Sequence, residues 1–213
     1  MDILEAMKNR HSVRKYKSTA IEQEKRNELN SFVEAINAES GLSIQVLYDE
    51  PKCFDSFMAR YGKFVNVKNY IAIVGNKNEQ EAAGYYGEKI VLKCQQLGLN
   101  TCWVAMTHGK SQAKIKKGQK LLIIISLGYG ETPGIAHKSK PLSELGCADE
   151  DAAWFKAGIE AASLAPTAMN QQKFLFELNG GNVTAKSLGG FYSKIDLGIV
   201  KYHFEAATGR EVK

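Results

Sequence analysis

A chain of 213 residues, 44% of them apolar, is long enough to bury a real core as one domain, which excludes disordered, collagenous and disulfide-dense readings. Its four cysteines (Cys53, Cys94, Cys102, Cys147) form no C-x-x-C pair and have no histidine cluster beside them, so no zinc site or redox dithiol is readable and reduced thiols are expected. A net charge of +5 admits an anionic small molecule, but the basic residues are spread out without interleaved aromatics, which argues against nucleic acid.

The opening stretch MDILEAMKNRHSVRKY is amphipathic and then basic, with no apolar signal segment. The longest apolar run, Leu121 to Ile125, is far too short to span a bilayer. A soluble, cytoplasmic protein with no membrane contact is expected.

Ile3, Leu4 and Met7 predict a short first helix with Asp2 as its N-cap. Over 22–38, the stripe Leu29, Phe32, Val33 and Ile36 predicts an amphipathic helix that stops at Gly41. Alternating Ile44, Val46 and Tyr48 read as a strand, and Tyr70 to Val74 as another. Residues 82–97 form a second amphipathic helix, closed by Gly98. The mostly apolar stretch 121–127 suits a strand buried on both faces. A helix over 150–164 follows, with acidic Asp149 to Asp151 at its start and Pro166 past its end. Phe174 to Leu178 returns as a strand and 196–207 as a helix.

The pattern carries a faint internal echo. Gly87 and Gly98 bracket one apolar helix, and Gly198 and Gly209 bracket another at the same spacing. A half-repeat over about 20–110 and 150–209 is one reading; the ordinary recurrence of helix–strand units in α/β chains is the other. No linker rich in Pro, Gly or Ser divides the chain, so a single domain over 1–213 is expected.

Two clusters carry chemistry. In Arg10-His11-Ser12-Val13-Arg14, an extended backbone places Arg10, Ser12 and Arg14 on one face. Two guanidinium forks and a hydroxyl suit a phosphate monoester. In Ala165-Pro166-Thr167-Ala168-Met169-Asn170-Gln171-Gln172, amides and a hydroxyl crowd a loop stiffened by proline. Such groups match a heterocycle whose edge alternates carbonyls and N–H. The four histidines, His11, His108, His137 and His203, are dispersed and suggest no metal; His203, in an apolar helix, reads as a satisfied buried residue. No nucleophile–base arrangement is present.

These stretches resemble the FMN-dependent nitroreductase family. RHSVRKY is similar to the family's R-x-S-x-R opening, and APTAMNQQ to its P-S-x-x-N-x-Q loop with Thr167 in place of serine. LGLNTCWVAM (97–106) resembles the helix ending in L-G-L with a short strand beside the flavin. LGYG (127–130) is similar to the L-G-Y-P turn, and Lys138-Ser139-Lys140-Pro141 to the basic tail beyond it.

The resemblance implies an α/β (α+β) fold with a central, mainly antiparallel sheet flanked by helices. It assigns the phosphate and ribityl chain of FMN to Arg10, His11, Ser12 and Arg14, with Lys138 and Lys140 completing the phosphate site. Pro166, Thr167, Asn170 and Gln172 would face the isoalloxazine ring, and the backbone at Ala105 and Met106 would line its other side. The implied activity is reduction of nitroaromatic, quinone or similar small acceptors with NADH or NADPH. No residue of the chain is assigned as catalytic, and no metal is called for.

Two departures mark a divergent branch. The P-S-x-x-N-like loop follows Lys138 to Pro141 instead of preceding the L-G-Y-P-like turn, a permuted order, and Lys173 stands where the family often has proline. Typical members are homodimers with FMN at the subunit interface; the internal echo leaves open a monomer whose halves imitate that dimer. A flavin-storage protein without turnover and a basic interaction module are the rival readings.

Overall fold

A computed structural model describes residues 1–213. Helix α1 (Ile3–Asn9) begins where Asp2 Oδ1 accepts the Glu5 N–H at 2.8 Å, the expected cap. Helix α2 (Gln23–Ser40) buries Leu29, Val33 and Ile36 and ends at Gly41, whose φ of 73° lets its N–H turn back to the Asn37 carbonyl. Asn37 then fastens the helix to strand β1 (Ser43–Leu47): its amide donates to Ile44 O at 2.8 Å and accepts from Ile44 N at 2.7 Å.

The chain packs as two compact units. One comprises Asn9–Glu79 and Ile90–Ile135. Its four strands are β1, β2 (Asn69–Gly75), β3 (Asn100–Val104) and β4 (Lys120–Gly128), in the order β1-β2-β4-β3 with every pair antiparallel. Strand β2 lies between β1 and β4 and is buried at every residue, which is why its sequence is an unbroken apolar run rather than an alternating one. Val13, Tyr16, Phe54, Phe64, Tyr70 and Cys102 belong to a core cluster in this unit. Phe54 meets Phe64 edge-on at 5.1 Å, a pairing that adds about 1 kcal/mol to the burial of the rings. A five-residue helix, α3 (Phe57–Tyr61), is capped by Ser56 Oγ on the Ala59 N–H.

The other unit comprises Met1–Lys8, Gln80–Lys89 and Ala136–Lys213. Helix α4 (Gln80–Gln96) begins in this unit. Strands β5 (Gly146–Ala148), β6 (Phe174–Asn179) and β7 (Asn182–Ser187) form a second sheet in which β5 runs parallel and β7 antiparallel to β6. Helices α5 (Ala153–Ser163) and α6 (Ser193–Thr208) pack together around Phe204, which stacks on Phe176 at 4.9 Å and meets Phe155 edge-on at 5.7 Å. His203 is fully buried beside them, with Nδ1 on the Ala161 carbonyl at 2.9 Å and Nε2 on Glu88 Oε1 at 3.0 Å.

Two local expectations shift. The helix read from residue 150 begins at Ala153, so Asp149 to Asp151 precede its first turn. Asp149 instead accepts the Gly180 N–H at the tip of the β6–β7 hairpin, at 2.9 Å. No helix is long and apolar enough to cross a membrane.

Candidate functional site

The segment from Arg10 to Tyr16 runs extended beside β3. Ser12 bridges Thr101 in parallel register, and the Val13 N–H donates to the Thr101 carbonyl at 3.0 Å. On its other side, Tyr16 N–H donates to Val65 O at 3.1 Å and Val65 N–H to Arg14 O at 2.9 Å. Val13 and Tyr16 anchor the arm in the core; the buried Tyr16 hydroxyl donates to Val13 O and lies 2.7 Å from Ser126 Oγ. A backbone so held has little freedom, so the faces from which its side chains emerge are set.

Their charges and hydroxyl act on Cys102 of the neighbouring β3. Burial pushes the Cys102 thiol above its ordinary value, while the Arg14 charge, a hydrogen bond from Ser12 and the Arg10 charge draw it back down. Arg10, Ser12 and Arg14 all act on the Cys102 thiol, as expected of residues that alternate along an extended arm beside β3. Their exposure differs. Arg10 is buried at 3%, Ser12 is half-buried, and Arg14 is exposed with its guanidinium carbon 5.9 Å from the Phe64 ring centroid. Burial and the Arg10 charge together hold the His11 imidazole below its usual value. Strand β3 ends at Val104, and the next two residues, half-buried Ala105 and exposed Met106, extend from the same strand that carries Cys102.

In the other unit the structure joins two stretches that the sequence presents separately. Lys138 O accepts from both Asn170 Nδ2 and Gln172 Nε2 at 2.9 Å. Gln172 Oε1 accepts the Lys140 N–H at 2.8 Å, and Lys140 Nζ donates to the Gln172 carbonyl at 3.2 Å. Ser139 Oγ donates to the Ser163 carbonyl at 3.0 Å, and His137 Nε2 lies at the same distance from it. The basic stretch 137–140 is thus sewn to the end of α5 and to the loop after it.

The loop itself is held in a conformation that ordinary residues avoid. Met169, Asn170 and Gln172 have φ of 51°, 53° and 45°. Left-handed backbone costs a non-glycine residue roughly 1–2 kcal/mol, less for asparagine, and such strain persists only where the surroundings over-determine it. Here they do. Asp196, in the first turn of α6, accepts the Ala168 N–H at 2.9 Å and Gln171 Nε2 at 2.7 Å. Thr167 Oγ1 accepts the Gln172 N–H at 3.1 Å. Burial lifts the Asp196 carboxyl to about 6, against the pull of the Gln171 and Ala168 bonds.

This geometry sorts the residues that the sequence singles out. Pro166 and Gln172 are covered by protein, and the Gln172 amide is consumed within the loop, so both support the loop rather than present a group to a ligand. Thr167 and Asn170 remain accessible, as does Lys138. Asp196 carries the loop's anchorage through Ala168 and Gln171 without any sequence motif to mark it, because it lies 25 residues or more from those partners along the chain. No group of three His, Cys, Asp or Glu side chains is placed to hold a metal.

The family described as "Putative TM nitroreductase" matches residues 2–208. The chain belongs to that nitroreductase family. Among solved structures, this nitroreductase-family chain is similar to a Thermotoga maritima protein described as a "putative nitroreductase", at 24% identity over 97% of this chain and 83% of the other, with a TM-score of 0.70. A Desulfovibrio desulfuricans protein, described as a "putative nitroreductase in complex with FMN", is 21% identical over 68% of this chain and 94% of its own, at a TM-score of 0.53. A nitroreductase family protein of Streptococcus pneumoniae is 11% identical over 67% of this chain and 98% of its own, at 0.52. At these identities the three establish the nitroreductase fold. No curated protein matches the chain.

Proposed function

We propose that this chain is an FMN-dependent oxidoreductase that uses NADH or NADPH to reduce nitroaromatic, quinone or similar small acceptors. The observation that carries this reading is the arm pinned beside β3 through Ser12, Val13 and Thr101, along which Arg10, Ser12 and Arg14 alternate. The FMN complex of the Desulfovibrio desulfuricans relative supports the choice of cofactor.

The donor set fits the nucleotide. A phosphate monoester carries about −1.5 to −2 charges at neutral pH, which two guanidinium groups offset. In this reading exposed Arg14 grips the phosphate, buried Arg10 contributes charge, and Ser12 offers a hydroxyl. His11, held below its usual value by burial and Arg10, serves as a neutral hydrogen-bonding group for the ribityl chain. Of the expected basic pair, Lys138 is exposed, and Lys140, whose ammonium is engaged by Gln172 O, positions the loop. Thr167 and Asn170 present a hydroxyl and an amide to a heterocycle edge, with Pro166 and Gln172 beneath them. Ala105 and Met106 offer backbone and an exposed thioether for a ring face.

Bound FMN would supply the redox chemistry, the exchange of electrons between a nicotinamide and the acceptor. The chain binds and orients the ring and shapes the face that admits acceptors. No side chain need act as a nucleophile or general base. Steady-state oxidation of NADH and NADPH by flavin-loaded protein, with a quinone or nitroaromatic present, tests the reading. A yellow protein that turns over neither nicotinamide would be a flavin-storage protein instead.

A further inference from the structure

Helix α3 turns its large apolar side chains outward. Phe57 and Tyr61, one turn apart and so on one face, are 73% and 75% exposed; Met58 beside them is exposed too, and only Ala59 is buried. The loop after β3 lies against the end of this helix. A Cβ built on Gly62 would meet Thr107 at 2.6 Å, and the Gly109 N–H donates to the Cys53 carbonyl at 2.6 Å. Exposed Met106, next to Thr107, emerges at the same place.

Beyond Gly109 the loop becomes cationic. Lys110, Lys114, Lys116 and Lys117 are all exposed, none enters an ion pair, and no acidic residue occurs between Ala105 and Lys120. Exposed Ile115 sits among them. The loop is nonetheless held. The Tyr70 hydroxyl accepts the Gln112 N–H at 3.0 Å, and the Gln45 amide accepts the Lys114 N–H and donates to the Lys114 carbonyl, both at 2.8 Å. These anchors use backbone groups, which leaves the ammonium groups to solvent. Around α3, exposed Lys52, Arg60 and Lys63 outnumber the one acid of the segment 51–65, Asp55.

Both stretches lie within one unit and on one side of its sheet. Ala59 of α3 and Ala113 of the loop pack on the core cluster that holds Tyr70 and Ala72, which are two residues apart on β2 and point to one face. No sequence window shows this neighbourhood, because β2, α4 and β3 separate Phe57 from Lys110 along the chain.

We infer that this face is a peripheral docking surface for an anionic lipid bilayer. Phe57, Met58 and Tyr61 enter the headgroup boundary, and the lysines meet the lipid phosphates. Aromatic side chains standing out beside unpaired cations suit an interface that combines apolar depth with negative surface charge. A protein partner fits less well: protein interfaces are depleted of lysine, and the loop offers no arginine fork to pair with carboxylates. No helix crosses a membrane, so the contact is superficial. In the proposed reaction it would bring the chain to quinones dissolved in lipid, but the binding itself does not rest on the flavin reading.

Cosedimentation of the full chain with vesicles tests this. Binding is expected to phosphatidylcholine mixed with phosphatidylglycerol, not to phosphatidylcholine alone, and to weaken with added salt. Lys116→Gln and Lys117→Gln are expected to weaken it by roughly fivefold each. Phe57→Ser with Tyr61→Ser is expected to weaken it by on the order of tenfold, with Tm unchanged. The lysine variants alter only solvent-facing groups and so keep the test open if the aromatic pair fails to fold. No binding to the mixed vesicles, equal binding to both kinds, or full binding by the lysine variants or by a folded aromatic variant would overturn the inference. Capture by polyglutamate as tight as capture by the mixed vesicles would mark an acidic-protein surface and also overturn it. A chain that binds vesicles but never FMN would sink the flavin reading and leave the lipid surface standing.

Discussion

The Asp196 carboxylate accepts the Gln171 side-chain amide at 2.7 Å while its other oxygen accepts the Ala168 N–H, so one buried acid on α6 holds both ends of a strained turn. Burial raises that acid from 3.8 to about 6. Between those values the folded chain keeps a proton that the unfolded chain has released. Stability therefore falls as pH rises through this window, by on the order of 2–3 kcal/mol in all. Urea unfolding at pH 4.5 and pH 7 should show this loss in the wild type, and Asp196→Asn should flatten it.

Arg14 is exposed, so Arg14→Ala should leave Tm within a degree or two. A charge-assisted bond to phosphate is worth about 1.5–3 kcal/mol, or roughly a ten- to hundredfold loss of FMN affinity. Titration by flavin fluorescence reads it. An unchanged Kd would remove Arg14 from the phosphate site.

Gln172 behaves differently. Its amide links Lys138, Lys140 and Asn170 from a site only 3% exposed, and truncation strands their backbone partners. Gln172→Ala should cost about 2–4 kcal/mol and lower Tm by roughly 5–10 °C. If flavin affinity falls while Tm does not, Gln172 touches the ligand after all.

Met169 holds φ of 51° with its side chain 81% exposed, so it pays backbone strain without gaining burial. Met169→Gly should raise Tm slightly, by about 0.5 kcal/mol of stability once glycine's larger unfolded-state entropy is offset. A fall in Tm would mean that the exposed thioether has a contact worth more than the strain.

Much of this was legible from the chain alone, wherever a pattern is local. The stripe Leu29, Val33 and Ile36 marks α2, the run Tyr70 to Val74 marks a central strand, and Gly41 and Gly98 mark helix ends. Strand β7 buries only Val183 and α3 only Ala59, so neither carries a periodic apolar signal. Of the site, the arm and loop stand out because their polar groups are clustered in sequence. The bond of Asp196 to Ala168, the meeting of Lys138 with Gln172, and the pairing of Ser12 with Thr101 arise from tertiary approach, which no window of residues contains.

The most direct measurement is a visible absorbance titration of the purified chain with FMN. The account predicts a bound, spectrally shifted flavin that saturates at one per chain and is bleached by NADH or NADPH. A chain that stays colourless and leaves the spectrum of added FMN unchanged would contradict it.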